Sequence, residues 1–293
     1  MPNVAPLIER SLPQDILDLL RSAALVASQE PESARELYLV GGMVRDLLRG
    51  EGSADIDICI VGDGPGYAAA LAGHLGGRVT KVSEFGTAAV EAGSMTIDVA
   101  TARSETYDHP GALPEVTPAG ITEDLARRDF TINAMAIDLS NDGWGELIDP
   151  HRGMTDLTMK RLKTLHPASF ADDPTRALRA VRHEARMGFK LQQASINDLQ
   201  RDCHHFDAVS PARVLADFRR ILNEAQRAEA LSRAEDLGIL GCISPAFRIA
   251  VRSLKAIADT PDREPLFHVA LIGARLTEAE AAALIERIDP PAE

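Results

Sequence analysis

Leu39-Val40-Gly41-Gly42-Met43-Val44-Arg45-Asp46-Leu47-Leu48, followed by Asp55-Ile56-Asp57, is the stretch on which the reading of this chain turns. A β-prone run, Glu36 to Val40, meets two glycines. An amphipathic helix carrying Arg45 and Asp46 then runs to a helix-ending glycine at Gly50. A second strand is predicted from Asp55 to Val61. Side chains alternate along a strand, so Asp55 and Asp57 share one face while Ile56, Ile58 and Ile60 point into a core. Two carboxylates on one face repel unless a cation sits between them. Mg²⁺ takes hard oxygen ligands and leaves positions for phosphate oxygens. The helix after Gly41-Gly42 offers free backbone N–H groups and the positive end of its dipole, which suits a phosphate. Gly-Gly alone is a turn, and Asp-x-Asp alone is a solvated strand face. In this order and at this close spacing they describe a site for a metal-bound nucleoside triphosphate.

Composition bounds the rest. The 293 residues suffice for two to four small domains, and 45% hydrophobic with 26% charged residues is a globular balance. No apolar run approaches the roughly 20 residues that cross a membrane, and Met1 to Arg10 lacks the basic start and apolar stretch of a secretory signal. Cys59, Cys203 and Cys242 are scattered, have no metal-ligand spacing, and read as unpaired cytoplasmic thiols. A net charge of −13 argues against nonspecific coating of nucleic acid but leaves room for a local basic surface. Of 31 basic residues only 5 are lysine, and arginine's planar fork favours phosphates and base edges. Oligomeric state leaves no signal in the sequence.

In chain order, residues 14–29 form an amphipathic helix through Ile16, Leu17, Leu19, Leu20 and Leu25, with Ser11 and Pro13 as start signals. After the Gly-Gly and Asp-x-Asp unit, Pro65 to Leu75 is a second helix ending at Gly76-Gly77. Three strands follow, Arg78–Ser83, Thr87–Ala92 and Met95–Ala102. In the last, Ile97 and Val99 alternate with Asp98, which is placed to join Asp55 and Asp57 as a third carboxylate; its plainer reading is a solvent-facing acid. Ser104 to Ala119 reads as a loop and Gly120 to Arg128 as a helix. Arg127-Arg128-Asp129-Phe130-Thr131-Ile132-Asn133-Ala134 comes next, and two arginines beside an Asp and an Asn suit a triphosphate and a ribose. Asn133–Leu139 and Glu146–Asp149 read as strands joined at Asn141-Asp142-Gly143.

Beyond residue 154 the pattern turns helical. A helix from Asp172-Asp173-Pro174-Thr175-Arg176 to Met187 carries Arg176, Arg179, Arg182 and Arg186 in one band, with Ala177, Leu178, Val181 and Ala185 facing inward. Asp173 and Arg176 are either a surface ion pair or, side by side, an imitation of a nucleotide's pairing edge. Further helices follow at 211–225, with Arg213, Arg219 and Arg220, and near 227–237, 245–258, 265–276 and 278–287. Glu286 to Glu293 reads as a frayed acidic tail.

The ordered set Leu39-Val40-Gly41-Gly42-x-x-Arg45-Asp46, Asp55-Ile56-Asp57, Arg127-Arg128-Asp129-Phe130-Thr131-Ile132-Asn133-Ala134, Asp149-Pro150-x-x-Gly153 and Asp172-Asp173-Pro174-x-Arg176-x-x-Arg179-x-x-Arg182 resembles the bacterial (class II) tRNA nucleotidyltransferase and poly(A) polymerase family, over roughly residues 36–220. The resemblance implies an α+β, seahorse-like protein. A catalytic head with a mixed or antiparallel sheet (1–153, with an N-terminal helix in 1–30) precedes a helical neck (154–225) and a helical, tRNA-binding body and tail (226–293). It implies cytoplasmic, template-independent addition of CMP and/or AMP to a tRNA 3′ end, with Mg²⁺ and with ATP and/or CTP. Asp55 and Asp57 would bind metal, and Asp98 matches a carboxylate on the next strand. Gly41, Gly42, Arg45, Arg128, Asp129 and Asn133 would hold the nucleotide. Asp173 and Arg176 would read its base, and Arg179 and Arg182 would complete the pocket. Arg213, Arg219 and Arg220 would meet RNA phosphates.

This sequence departs from the family in having Asp172-Asp173 where Glu-Asp is usual, and in lacking the basic extension expected of a poly(A) polymerase. The stretch Tyr107 to Pro118 is similar to that of several A-adding relatives, and the corresponding family loop influences the switch from CTP to ATP. CCA, CC-only and A-only addition all stay open. Two other classes are a small-molecule adenylyltransferase, against which the arginine-banded helix and helical tail weigh, and an inactive RNA-binding descendant, against which intact Asp55, Asp57 and Arg128 weigh.

Overall fold

A computed structural model describes residues 2–29, 36–52, 55–260 and 265–288. The chain divides into two compact units, one of residues 1–106 and 115–159, the other of residues 107–114 and 160–293.

The first unit opens with helices α1 (Ala5–Ser11) and α2 (Gln14–Ser28). Leu17, Leu19, Leu20 and Ala23 of α2 are buried, whereas Leu25, expected in the same stripe, is 49% exposed. Strand β1 (Leu37–Val40) runs straight into α3 (Gly41–Arg49), which stops at Gly50. Then come β2 (Ile56–Ile60), α4 (Gly64–Leu75), β3 (Arg78–Val82), β4 (Thr87–Ala92) and β5 (Met95–Thr101). These match the expected strands and helices to within a residue or two at each end. The 104–119 segment is not the loop that its prolines suggest. Strand β6 (Arg103–Thr106) pairs antiparallel with β7 (Glu115–Pro118), so only its middle is loop. Pro118 sits at the last position of β7, where its missing N–H costs little. Helix α5 (Ile121–Ala126), a 3₁₀ turn at Thr131–Asn133, β8 (Ala136–Asp138), β9 (Leu147–Ile148) and α6 (Gly153–Thr158) complete the unit. Asn133 thus lies in a turn, not in the strand predicted to begin there.

Seven strands form one mixed sheet in the order β3-β4-β5-β2-β1-β8-β9. Only β2 and β5 are parallel, and the crossover between them carries α4, which buries Tyr67, Ala68, Leu71 and Ala72. The parallel register sets Asp57 directly beside Asp98. On the opposite face Ile56, Ile58, Ile97 and Val99 are all 3% exposed or less.

The second unit is helical apart from a two-strand parallel ladder, β10 (Arg161–Leu162) with β11 (Lys190–Leu191). Its helices are α7 (Ser169–Asp172), α8 (Arg176–Met187), α9 (Gln193–Asp202), α10 (Pro211–Leu222), α11 (Arg227–Asp236), α12 (Ile239–Ile243), α13 (Val251–Ala258), α14 (Pro265–Gly273) and α15 (Glu278–Ile288), with a 3₁₀ turn at Cys203–Ala208. Leu178 and Val181 of α8, Phe218 of α10, Leu231 of α11 and Phe247 make the core, with the two phenylalanine rings edge to face at 5.3 Å. The expected acidic tail starts inside α15, and residues 289–293 lie outside those described. Cys203 and Cys242 are bonded to each other, so the expectation of unpaired thiols holds only for buried Cys59. Spacing could not have revealed that pair, because 39 residues separate its members. Among the described residues no helix is long and apolar enough to cross a membrane.

Candidate active site

Of the expected residues, Asp57, Asp98 and Arg128 line one cleft of about 540 Å³ in the first unit, together with Lys81, Ser83 and Arg103. Gly41 begins α3 with φ +73°, a left-handed conformation that L side chains rarely adopt. A Cβ there would lie 2.9 Å from Asp57 Oδ2 and 3.6 Å from Arg128 Nη1. Glycine is therefore required twice over, for the backbone turn and for the close approach of the Asp57 carboxylate. Among the described residues no side chain caps α3, and its first N–H groups point where an anion would meet them.

Asp57 is the electrostatic centre. Burial pushes its carboxyl up, Asp98 and Asp55 push it the same way, and Arg128 opposes them; the outcome is about 6 against an ordinary 3.8. Asp55 precedes β2 and is exposed, as is Asp98. Among the described residues no three acidic, histidine or cysteine side chains close on one another tightly enough to enclose a metal by themselves. Asp57 and Asp98, neighbours in the strand register, offer hard oxygens to an ion that shares its coordination with waters and phosphates, as Mg²⁺ does.

Arg128 owes its position to Asp124, which lies in the expected Gly120–Arg128 helix with no role assigned to it there. Asp124 is fully buried. Its Oδ2 accepts from Arg128 Nε (3.3 Å) and Nη2 (2.9 Å), and its Oδ1 accepts from Arg127 Nε (3.0 Å) and Nη2 (2.7 Å). Burial alone would raise its carboxyl, but Arg128 and Arg127 outweigh that and hold it below the usual range. Arg127, expected at the triphosphate, gives Nη1 to Glu105 at 2.8 Å. The signal was in the sequence, since Asp124 stands three and four residues before the two arginines on one helical face.

Arg45 is placed differently from a free phosphate hand. It is 4% exposed, binds both oxygens of Asp46 at 2.8 Å, and gives Nη1 to Asn133 Oδ1 at 2.8 Å. Asn133 in turn donates to Asp129 Oδ1 at 3.0 Å. Asp46, Arg45, Asn133 and Asp129 form one hydrogen-bonded chain. Gly42 leaves ordinary van der Waals room beside Arg45, 3.5 Å from Nη2. The Asp149-to-Gly153 motif is a helix cap, Asp149 accepting from Gly153 N at 2.6 Å and Met154 N at 3.0 Å.

In the second unit, Asp173 sits in extended backbone between α7 and α8. Its Oδ1 accepts from Thr175 N and Oγ1 and from Arg213 Nη2, and its Oδ2 from Arg179 Nη2. Burial opposes ionisation, but Arg179, Thr175 and Arg213 carry the carboxyl down to about 2. Arg179 also binds Asp217, which pairs with Arg220. The predicted arginine band is not uniform. Arg176 is 3% exposed, with Nη1 on Ser169 Oγ at 2.6 Å, while Arg182 lies 3.9 Å from Glu224. Arg219 is exposed, and Arg220 is 57% exposed at the side chain. Arg213, expected at RNA, binds Asp173 and the carbonyls of Gly111 and Ala112 within the chain.

A mixed sheet that aligns two strand carboxylates beside a glycine turn and an uncapped helix end has the build of a nucleotidyltransferase head. The sequence pattern of the poly(A) polymerase head domain matches residues 37–163. The chain is 38% identical over 242 residues to the A-adding tRNA nucleotidyltransferase of Halalkalibacterium halodurans, covering 81% of this chain and 56% of that protein. It is 34% identical to the CC-adding tRNA nucleotidyltransferase of Deinococcus radiodurans, covering 86% and 67%. The Thermotoga maritima CCA-adding enzyme complexed with tRNA superposes with a TM-score of 0.82 at 27% identity, over 99% of this chain and 70% of that one. This chain belongs to the class II tRNA nucleotidyltransferase and poly(A) polymerase head family. It spans about half, or less, of the length of the A-adding relatives that it matches.

Proposed function

We propose that this chain is a template-independent nucleotidyltransferase that adds CMP or AMP to the 3′ end of tRNA, with terminal AMP addition as the favoured branch. The observation that carries the reading is the Asp57–Asp98 pair, set side by side with Asp55 near and Arg128 opposite. Asp55, Asp57 and Asp98 would hold Mg²⁺, which when bound activates an attacking hydroxyl and neutralises charge on a triphosphate. Arg128, fixed by Asp124, lays its Nη1 beside Gly41 and Asp57, where a phosphate oxygen would take it. The free N–H groups of α3 would receive further phosphate oxygens. Arg45 acts through Asn133, orienting its amide toward a ribose. Asp173, with an acceptor edge lined by donors, would read the exocyclic amine that cytosine and adenine share. Arg219 and Arg220 keep enough exposure to meet RNA phosphates, and a boundary near 225/226 between a selecting neck and an RNA-contacting body belongs to the same reading. The A-adding names of relatives such as that of Halalkalibacterium halodurans favour AMP over CMP.

The test is a gel of labelled tRNA lacking one, two or three of its 3′ nucleotides, supplied with ATP, CTP or both and Mg²⁺. Terminal AMP addition predicts extension only of the acceptor that ends in CC, and only with ATP. Extension of the shorter acceptors would make it a CC- or CCA-adding enzyme. Full turnover by Asp57→Ala would remove the site altogether.

A further inference from the structure

Asp173 is not an open acceptor in this structure. Four donors from three residues converge on its two oxygens, and they are not equivalent. Thr175 is its own chain neighbour, closing a local turn through N at 3.0 Å and Oγ1 at 2.6 Å. Arg179 is tied on its far side to Asp217 at 3.1 Å and to Thr175 Oγ1 at 2.9 Å, so it belongs to the framework. Arg213 is different. Its Nη2 reaches Asp173 Oδ1 at 3.0 Å, and its Nη1 holds the backbone carbonyl of Gly111 at 2.7 Å, with that of Ala112 at 3.4 Å.

Gly111 is the anchor of the 107–114 segment. Its N–H donates to Ala171 O at 2.9 Å, in the helix that leads to Asp173. Its φ is +75°, and a Cβ there would press on Ala208 at 3.0 Å. A guanidinium is a rigid plane with its donors in fixed relation, so moving Nη2 off Asp173 tilts Nη1 against its carbonyl partners.

We propose that Arg213 is a positioning residue for nucleotide selection: its guanidinium occupies the acceptor edge of Asp173 that a base amine would take, and a base that displaces it also weakens the grip on the Gly111–Ala112 carbonyls and loosens the 107–114 segment. The proposal rests on the reading of Asp173 as the base acceptor. The exchange is chemically even, because an exocyclic amine donates an N–H to the same oxygen that Arg213 leaves. A largely buried carboxylate is thereby never left without a donor, which would be the costly outcome. Nucleotide binding carries the expense of displacing a resident partner, and that expense lowers the apparent affinity.

The full-length chain with ATP and Mg²⁺ tests this through hydrogen exchange across residues 107–114 and through equilibrium ATP binding without RNA. In the unsubstituted protein, saturating ATP raises exchange in this segment. In Arg213→Ala, exchange is already high, ATP does not change it, and ATP binds roughly threefold to tenfold more tightly because the competitor is gone. A residue with a merely structural role would weaken binding when removed, so the sign separates the two. Arg213→Lys, which keeps the charge but has one nitrogen where two are needed, falls between them; if the alanine variant does not fold, the same comparison is made with lysine. Unaltered exchange with unchanged or weaker ATP binding overturns the proposal. Asp173→Asn separates the two layers. If it leaves the preference for ATP and CTP over GTP and UTP intact, the base-reading role fails. If that preference is lost while Arg213→Ala behaves like the unsubstituted protein, only the coupling through Arg213 fails.

Discussion

Replacing Asp124 with alanine removes the single carboxylate that holds both Arg127 and Arg128. Four side-chain N–H contacts between 2.7 and 3.3 Å end on its two oxygens, and the Arg103 backbone N–H adds a fifth at 3.3 Å. The losses are unequal. Arg127 keeps Glu105 at 2.8 Å, whereas Arg128 keeps a long hydrogen bond to Asn133 O at 3.4 Å and the attraction of Asp57. Deleting one partner of a buried ion pair costs about 3–5 kcal/mol, because the other charge is left in a poor solvent for it. For a unit of this size that corresponds to a melting shift of roughly 6–20 °C. The chain's one tryptophan, Trp144, lies in the first unit, so its fluorescence in a urea titration reports that unit's unfolding apart from the helical one. Asp124 has a lowered folded-state pKa, so its contribution is present above the unfolded value of 3.8 and is lost as pH falls. The gap between variant and parent must therefore shrink on acidification. Asp124→Asn, keeping shape but not charge, is expected between the two. A loss below about 1 kcal/mol at neutral pH, or a gap that is flat from pH 7 to pH 3, would refute the claim that this carboxylate sets the arginines.

Gly41→Ala should cost about 1–2 kcal/mol from the left-handed turn alone and should displace Asp57 as well, so incorporation falls by more than stability does. Gly42→Ala, with only an ordinary 3.5 Å neighbour, should leave the urea midpoint nearly unchanged, and equal effects at the two positions would contradict the geometry. Asp57→Asn should stabilise the metal-free protein. A carboxyl raised from 3.8 to about 6 contributes stability that is complete below the unfolded value and is lost as pH rises through 6, about 3 kcal/mol at most. The asparagine variant should therefore be more stable in EDTA at pH 7.5, lose the slope between pH 4 and 6, and gain nothing from added Mg²⁺. A variant less stable than its parent in EDTA would show that Asp57 is not under that electrostatic load.

The sheet was legible in the sequence because its signals are local. Alternation in Ile97-Asp98-Val99 and the glycines after α3 and α4 each fix a strand face or a helix end within a few residues. The head's acidic cluster followed from the same alternation. Other features depend on contacts distant in sequence. The β6–β7 hairpin was hidden by prolines, because Pro118 at a strand's last position looks the same in sequence as Pro114 beyond the pairing. Arg45 and Arg213 were assigned to ligands because arginine beside a glycine turn, or on a helix face, is drawn to phosphate. The partners they hold within the chain, Asn133 88 residues away and Gly111 102 residues away, carry no periodic signal. Asp124 is the intermediate case, since the helical spacing was visible and its burial was not.

The two carboxylates at the centre of the proposed chemistry are treated in opposite ways. Asp57 is loaded with like charge and shifted up to about 6, whereas Asp173 is surrounded by donors and shifted down to about 2. An acid held against its neighbours is short of a cation, so its surroundings favour adding one. An acid already saturated by arginines and a threonine has no such need, and a ligand can reach it only by exchange. Metal binding at the first should therefore be driven by relief of repulsion and be strongly pH-dependent near 6, with protons released as the cation enters. Recognition at the second should be insensitive to pH over the same range and sensitive to which donor is displaced. A titration of Mg²⁺-dependent stabilisation and of nucleotide preference between pH 5.5 and 8 separates these two behaviours. Parallel pH curves for both would mean that one ionisation governs the whole protein, contrary to the opposed environments of Asp57 and Asp173.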